Sequence, residues 1–165
     1  MTYPNNFDKI RYIDLLKKQD MLRNEGRFLD DQEDSELLNY GCILQCQIFY
    51  NRRTEYVSFL QEYLRYNPSG EDEANLFRFE FFHIYRKDLK LTKTLTQEII
   101  DKGLSVFPTF LLDSKAEGFD ALINQIISAC EALTFDPEET YGFFSDKFAD
   151  FIRRILSEME KYCDS

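Results

Sequence analysis

Tryptophan is absent from this chain, and histidine occurs once, as His83. A single histidine excludes His-Glu-x-x-His zinc sites and carboxylate-bridged bundles, which need two Glu-x-x-His pairs. Glu80-Phe81-Phe82-His83 supplies one such pair only, so the expected role of His83 is that of a core histidine. No Gly-x-Ser-x-Gly elbow, phosphate-binding glycine loop or dinucleotide fingerprint occurs. Cysteine is sparse: Cys42, Cys46, Cys130 and Cys163, with no Cys-x-x-Cys pair. Cys42 and Cys46 fall on one helix face, but a third ligand is missing where position 49 is Phe, so free thiols without metal or mutual disulfide are expected. No apolar run approaches the ~18 residues of a membrane span. The first residues lack the basic-then-apolar pattern of a secretion signal, which makes the cytoplasm the expected location, with a plastid stroma as the alternative.

Basic residues are also in deficit. The chain has 20 Lys and Arg against 30 Asp and Glu, a formal net charge of −10 and a pI near 4.6. Phosphate binding needs clustered Lys and Arg, so direct nucleic-acid binding is not expected. The same charge would steer a basic protein partner. Acid pairs such as Glu138-Glu139 come with no pocket signal and read as solvated surface. The expectation is a binding protein without catalytic activity, cofactor or metal.

What is present is apolar and aromatic: 44% of the 165 residues are hydrophobic, including 16 Phe and 10 Tyr. This is enough for the core of one domain. Residues 8–24 read as a helix with Ile10, Ile13, Leu16 and Met21 in a loose stripe. Glu25 to Asp34 is acidic, contains Gly26 and shows no period, as a linker would. Leu37 to Tyr50 leaves helix and short strand both open. Thr54 to Tyr66 is a helix facing inward with Tyr56, Leu60 and Tyr63, ended by Asn67-Pro68-Ser69-Gly70. Ser69 is placed to cap a helix running to about Asp88, with Ala74, Phe77, Phe81, Ile84 and Tyr85 inward and Phe79 and Phe82 widening that face. A short helix over Thr94–Lys102 stops at Gly103. Ser114-Lys115-Ala116-Glu117 opens a strictly periodic helix through Phe119, Leu122, Ile126 and Leu133. Asp136-Pro137 starts a further turn, and Ser145 to Tyr162 forms the last helix, with Phe148, Ile152 and Ile155 inward.

These elements predict an all-α fold: an antiparallel bundle of four main helices over residues 54–165, with an N-terminal helical arm and acidic linker over 1–53.

Two stretches together resemble the colicin D-type immunity proteins. One is the helix Tyr56 to Leu64, the turn Ser69-Gly70-Glu71-Asp72 and the aromatic helix Phe77 through Asp88. The other is Phe119 to Leu133, the acidic turn Phe135-Asp136-Pro137-Glu138-Glu139, Ser145-Asp146 and the closing helix. The resemblance covers about the last two-thirds of the chain, and residues before about Thr54 have no counterpart in that family. It implies a helical inhibitor whose acidic surface fills the basic cleft of a tRNA-cleaving toxin domain in place of RNA phosphates. By position, the implied partner-binding residues are Asp136, Glu138, Glu139 and Asp146, with Glu71 and Asp72 at the other turn. A second reading stands beside it: an accessory or structural subunit of a larger protein assembly, cyanobacterial or plastid, docked by its aromatic surface and N-terminal arm.

Overall fold

The computed structural model describes residues 7–65, 71–108, 114–135 and 150–163, and every regular element among them is helical. Helix α1 spans Lys9–Asn24, α2 Asp31–Asn51, α3 Arg53–Arg65, α4 Glu71–Lys102 and α5 Ser114–Phe135. A 3₁₀ turn, Gly103–Val106, follows α4. Helix α6 covers residues 150–160. The fold is an all-α helical bundle.

Local chemistry sets most of these boundaries. Asp8 caps α1 by accepting the Arg11 N–H at 2.9 Å, which satisfies one of the first-turn donors that a helix leaves unpaired. The helix ends in a Schellman arrangement: Gly26 N–H donates to Arg23 O and Arg27 N–H to Leu22 O. Gly26 has φ +71°, a left-handed conformation that costs glycine little. Asp30 then caps α2 through Glu33 N–H at 2.8 Å, with Asp31, Glu33 and Asp34 in the first turn. The run from Asp31 to Asp34, expected as linker, is therefore helix. Its acids suit the positive end of the helix dipole.

Helix α4 is continuous for 32 residues, where the sequence predicts one helix to about Asp88 and another from Thr94. No Gly or Pro lies between them, and the threonines adapt to the helix. Thr92 Oγ1 donates to Asp88 O at 2.9 Å and Thr96 Oγ1 to Thr92 O at 2.8 Å. This back-bonding lets a short polar side chain sit inside a helix. Gly103, at φ +66°, is the stop that the sequence predicts.

Two core clusters are strung along α2 and α4. Tyr12, Leu15 and Leu16 of α1 meet Leu37, Tyr40 and Leu44 of α2 and Ile99 of α4 in one. In the other, Cys46, Phe49 and Tyr50 of α2 pack with Tyr56 and Leu60 of α3, Phe77 and Phe81 of α4, Phe119 and Ile126 of α5, and Ile152 of α6. The division at residue 53 into arm and bundle cuts across this arrangement. Helix α2 precedes it, yet it supplies side chains to both clusters. The α1–α2 contact is also tied by a fork, with Arg11 Nε and Nη2 donating to the two Glu36 carboxylate oxygens at 3.1 Å each.

Of the expected core, Phe77, Phe81, Ile126, Ile152 and Ile155 are buried, while Tyr85 and Leu122 are half-buried against them. Phe148 lies outside the described residues. Three expectations fail by register. Ile13 and Leu16 of the expected α1 stripe are buried, but Ile10 and Met21 are exposed, and α1 turns Tyr12, Leu15 and Leu22 inward with that buried pair. Phe79 is 62% exposed. His83 is exposed rather than in the core. It sits two residues past Phe81, about 200° around the helix, which puts it on the outer side.

Gly118 is where α5 meets the chain after α6. A Cβ there would stand 2.5 Å from the Tyr162 hydroxyl and 2.9 Å from its ring. Any larger residue there requires the Tyr162 side chain to move away.

Candidate functional site

Asp136, Glu138, Glu139 and Asp146 lie outside the described residues. Glu71 and Asp72 form the first turn of α4, and Asp72 is exposed. Acids that the sequence did not single out are described clearly at the start of α2, where Asp30, Asp31 and Asp34 are all exposed. The backbone N–H of Glu33 holds the Asp30 carboxyl below its usual pKa. These acids are fixed to a helix rather than carried on a loose linker.

The other feature missed by sequence reading is a buried ionic knot. Among the described residues Asp88 is the one buried charged side chain. One of its carboxylate oxygens accepts from Arg52 Nη1 and the other from the Tyr56 hydroxyl. Arg52 sits at the corner between α2 and α3, where it also pairs with Glu55 through Nε at 3.1 Å. Burial pushes the Asp88 carboxyl above its ordinary pKa, with Tyr56 and Arg52 pulling the other way. Burial, followed by the bond to Asp88, also raises the Tyr56 phenol far above its ordinary value. Each donor has its acceptor and the carboxylate is closed to solvent. The knot thus fastens the α2–α3 corner to the middle of α4 and offers no group to a substrate. No sequence signal marks it, because its members are separated by 36 and 32 positions.

Beside the knot lies an open cleft of about 430 Å³ between α2 and α4, lined by Ile48, Asn51, Arg52, Leu91, Leu95 and Glu98. Arg52, its one cation, is already taken by Asp88 and Glu55. A second depression, between α1, α2 and α4, includes Cys42 and Gln45. Burial, with the nearby Asp120 charge, raises the Cys42 thiol, and burial raises Cys130 to about 12. Such thiols stay protonated at neutral pH, whereas a nucleophilic cysteine needs its thiolate. The Cys46 Sγ donates to Ala116 O at 3.0 Å, tying α2 to α5. None of the four cysteines is joined in a disulfide. Among the described residues no group of three or more His, Cys, Asp and Glu is arranged to hold a metal ion, and no helix is long and apolar enough to cross a membrane.

Comparison of the chain with protein-family models, with curated proteins and with solved structures found no match in any of the three.

Proposed function

We propose that this chain is a helical binding protein that presents an acidic surface to a basic protein domain, without catalysing a reaction. One observation carries the reading. The chain has a formal net charge of −10, and among the described residues the fold buries only Asp88 of its charged side chains. Most of the other acids described stand exposed on a helical frame, where a cationic partner can reach them, while Glu33, Glu36, Glu117, Asp120 and Glu158 are half-buried. Some of the exposed acids are fixed at the start of a helix, Asp30 as its cap and Asp31 and Asp34 in its first turn. Preorganised charge of this kind accelerates encounter and selects against acidic competitors. The resemblance to the colicin D-type immunity proteins implies a nuclease-type toxin domain as the partner. In that reading the contact is centred on Asp136, Glu138, Glu139 and Asp146.

The test begins with a partner recovered by pull-down and measured by surface plasmon resonance or calorimetry. The Glu138→Lys, Glu139→Lys double variant should associate more slowly and bind less tightly, and raised salt should imitate the substitution. Salt acts because the Debye length falls from ~10 Å at 0.1 M to ~3 Å at 1 M. An affinity unchanged under both treatments, and lost instead when exposed apolar residues are replaced, would overturn this reading and favour the accessory subunit.

A further inference from the structure

The outer face of α4 carries a pattern that the core does not use, its contacts within the chain including Arg78 over the Phe79 ring at 4.9 Å and Arg86 over the Phe82 ring at 5.9 Å. Asp72, Leu76, Phe79, His83, Arg86 and Lys90 succeed one another at alternating steps of four and three, the spacing of a seam along which two helices pair. All six are exposed, Leu76 at 52% and Phe79 at 62%. Charge is graded along the seam. Asp72 and Glu80 lie toward its N-terminal end, and Arg86, Lys87, Lys90 and Lys93 follow. None of Glu80, Arg86, Lys87, Lys90 and Lys93 forms an ion pair with another described residue.

A face that is acidic and apolar at one end and basic at the other complements itself only when reversed. We infer that the outer face of α4 pairs antiparallel with α4 of a second copy of this chain, about a two-fold axis at His83. Glu80 and Arg86 lie at equal distances on either side of that axis, so Glu80 of each copy faces Arg86 of the other. Phe79 meets Lys87 across the axis, a cation over an aromatic face. Leu76 covers the aliphatic stem of Lys90, and Asp72 comes alongside Lys93. Because the contact is isologous, each pair forms twice. An acidic helix from any protein could answer the basic half, but the copy also supplies apolar residues and acids at the matching spacing. The contact is one helix long, about 33 Å over the seam from 72 to 93. Each copy also carries ten excess negative charges. Both facts make the dimer weak and concentration-dependent.

Sedimentation equilibrium at submillimolar protein tests the pairing. The wild-type chain should show a reversible monomer–dimer equilibrium. Glu80→Arg and Arg86→Glu should each weaken it by about tenfold or more, since each sets two like charges face to face across the axis. An equimolar mixture of the two variants should dimerise again, because position 80 and position 86 then carry opposite charges at both contacts. Restoration by mixing separates a lost contact from a damaged fold, and circular dichroism of each variant checks that the helices remain. A wild-type chain that stays monomeric, single variants that dimerise as well as wild type, or a mixture that stays monomeric when wild type does not would each overturn the proposal.

Discussion

Replacing Asp88 by Ala tests the buried knot most directly. Asp88 is fully buried, and Tyr56, whose hydroxyl donates to it, is 1% exposed. The substitution leaves that hydroxyl without its acceptor, at about 1–3 kcal/mol for a buried unsatisfied donor. Arg52 also loses one partner but keeps Glu55, which limits its share of the loss. The sum falls at about 3–5 kcal/mol, the range for breaking a buried pair from one side. Asp88→Asn should lose much less. Its amide oxygen still accepts from Tyr56, while its amide NH2 faces Arg52, which keeps Glu55, and the buried charge that burial disfavours is gone. Urea unfolding followed by circular dichroism measures both variants, with an unchanged denaturant slope as the check that the unfolded state is the same. The pH dependence adds a second signature. The folded-state pKa of Asp88 is raised, so its protonation favours the folded state. That contribution is complete below the ordinary carboxylate pKa and is lost as pH rises through the raised value. Wild type should therefore lose stability relative to Asp88→Asn as pH rises through that window. A cost below about 1 kcal/mol for Asp88→Ala, or equal costs for the Ala and Asn variants, would refute this account.

Glu36 should behave in the opposite sense to Asp88. Its bond from Arg11 holds its pKa below the usual carboxylate value, so its stabilisation is present above that value and fades as pH falls through the lowered one. The stability gap between wild type and Glu36→Gln, read by denaturation from neutral to acid pH, should be at most ~1 kcal/mol for this half-exposed pair and should close in acid. Ile126 is fully buried between helices. Ile126→Ala should cost about 2–5 kcal/mol in the same urea assay. Gly118→Ala would push against the Tyr162 ring. It should lower the melting temperature, and adding Tyr162→Ala should recover part of the loss, in a double-mutant cycle with coupling of about 0.5–3 kcal/mol.

Much of this fold was written locally. Helix type followed from apolar residues at steps of three and four, which survive whatever the helix packs against. Gly103 marked a stop because a left-handed residue ends a helix in any context. The face of α3 was equally legible, since Tyr56, Leu60 and Tyr63 form an unambiguous stripe on a short helix. Where several stripes competed, tertiary structure chose. On α1 the inner half of the expected stripe, Ile13 and Leu16, is buried, and contact with α2 and α4 added Tyr12 and Leu15 to it while leaving Ile10 and Met21 outside. On α4 nearly every side bears an aromatic residue, so the sequence could not tell that Phe79 and His83 would face outward. The extent of α4 beyond Asp88 was decided likewise. Ile99 and Leu95 are held by α1 and α2, and that packing carries the helix through a threonine-rich stretch of modest propensity. The knot of Arg52, Tyr56 and Asp88 was the least legible feature, because a charge in the core has a place only once residues far apart in the chain are brought together to pair with it. The sequence alone determined that the chain is helical and acidic. Which helix faces are buried, and that Asp88 is buried with them, depended on packing, because burial is a property of neighbours in space and not of position in the chain.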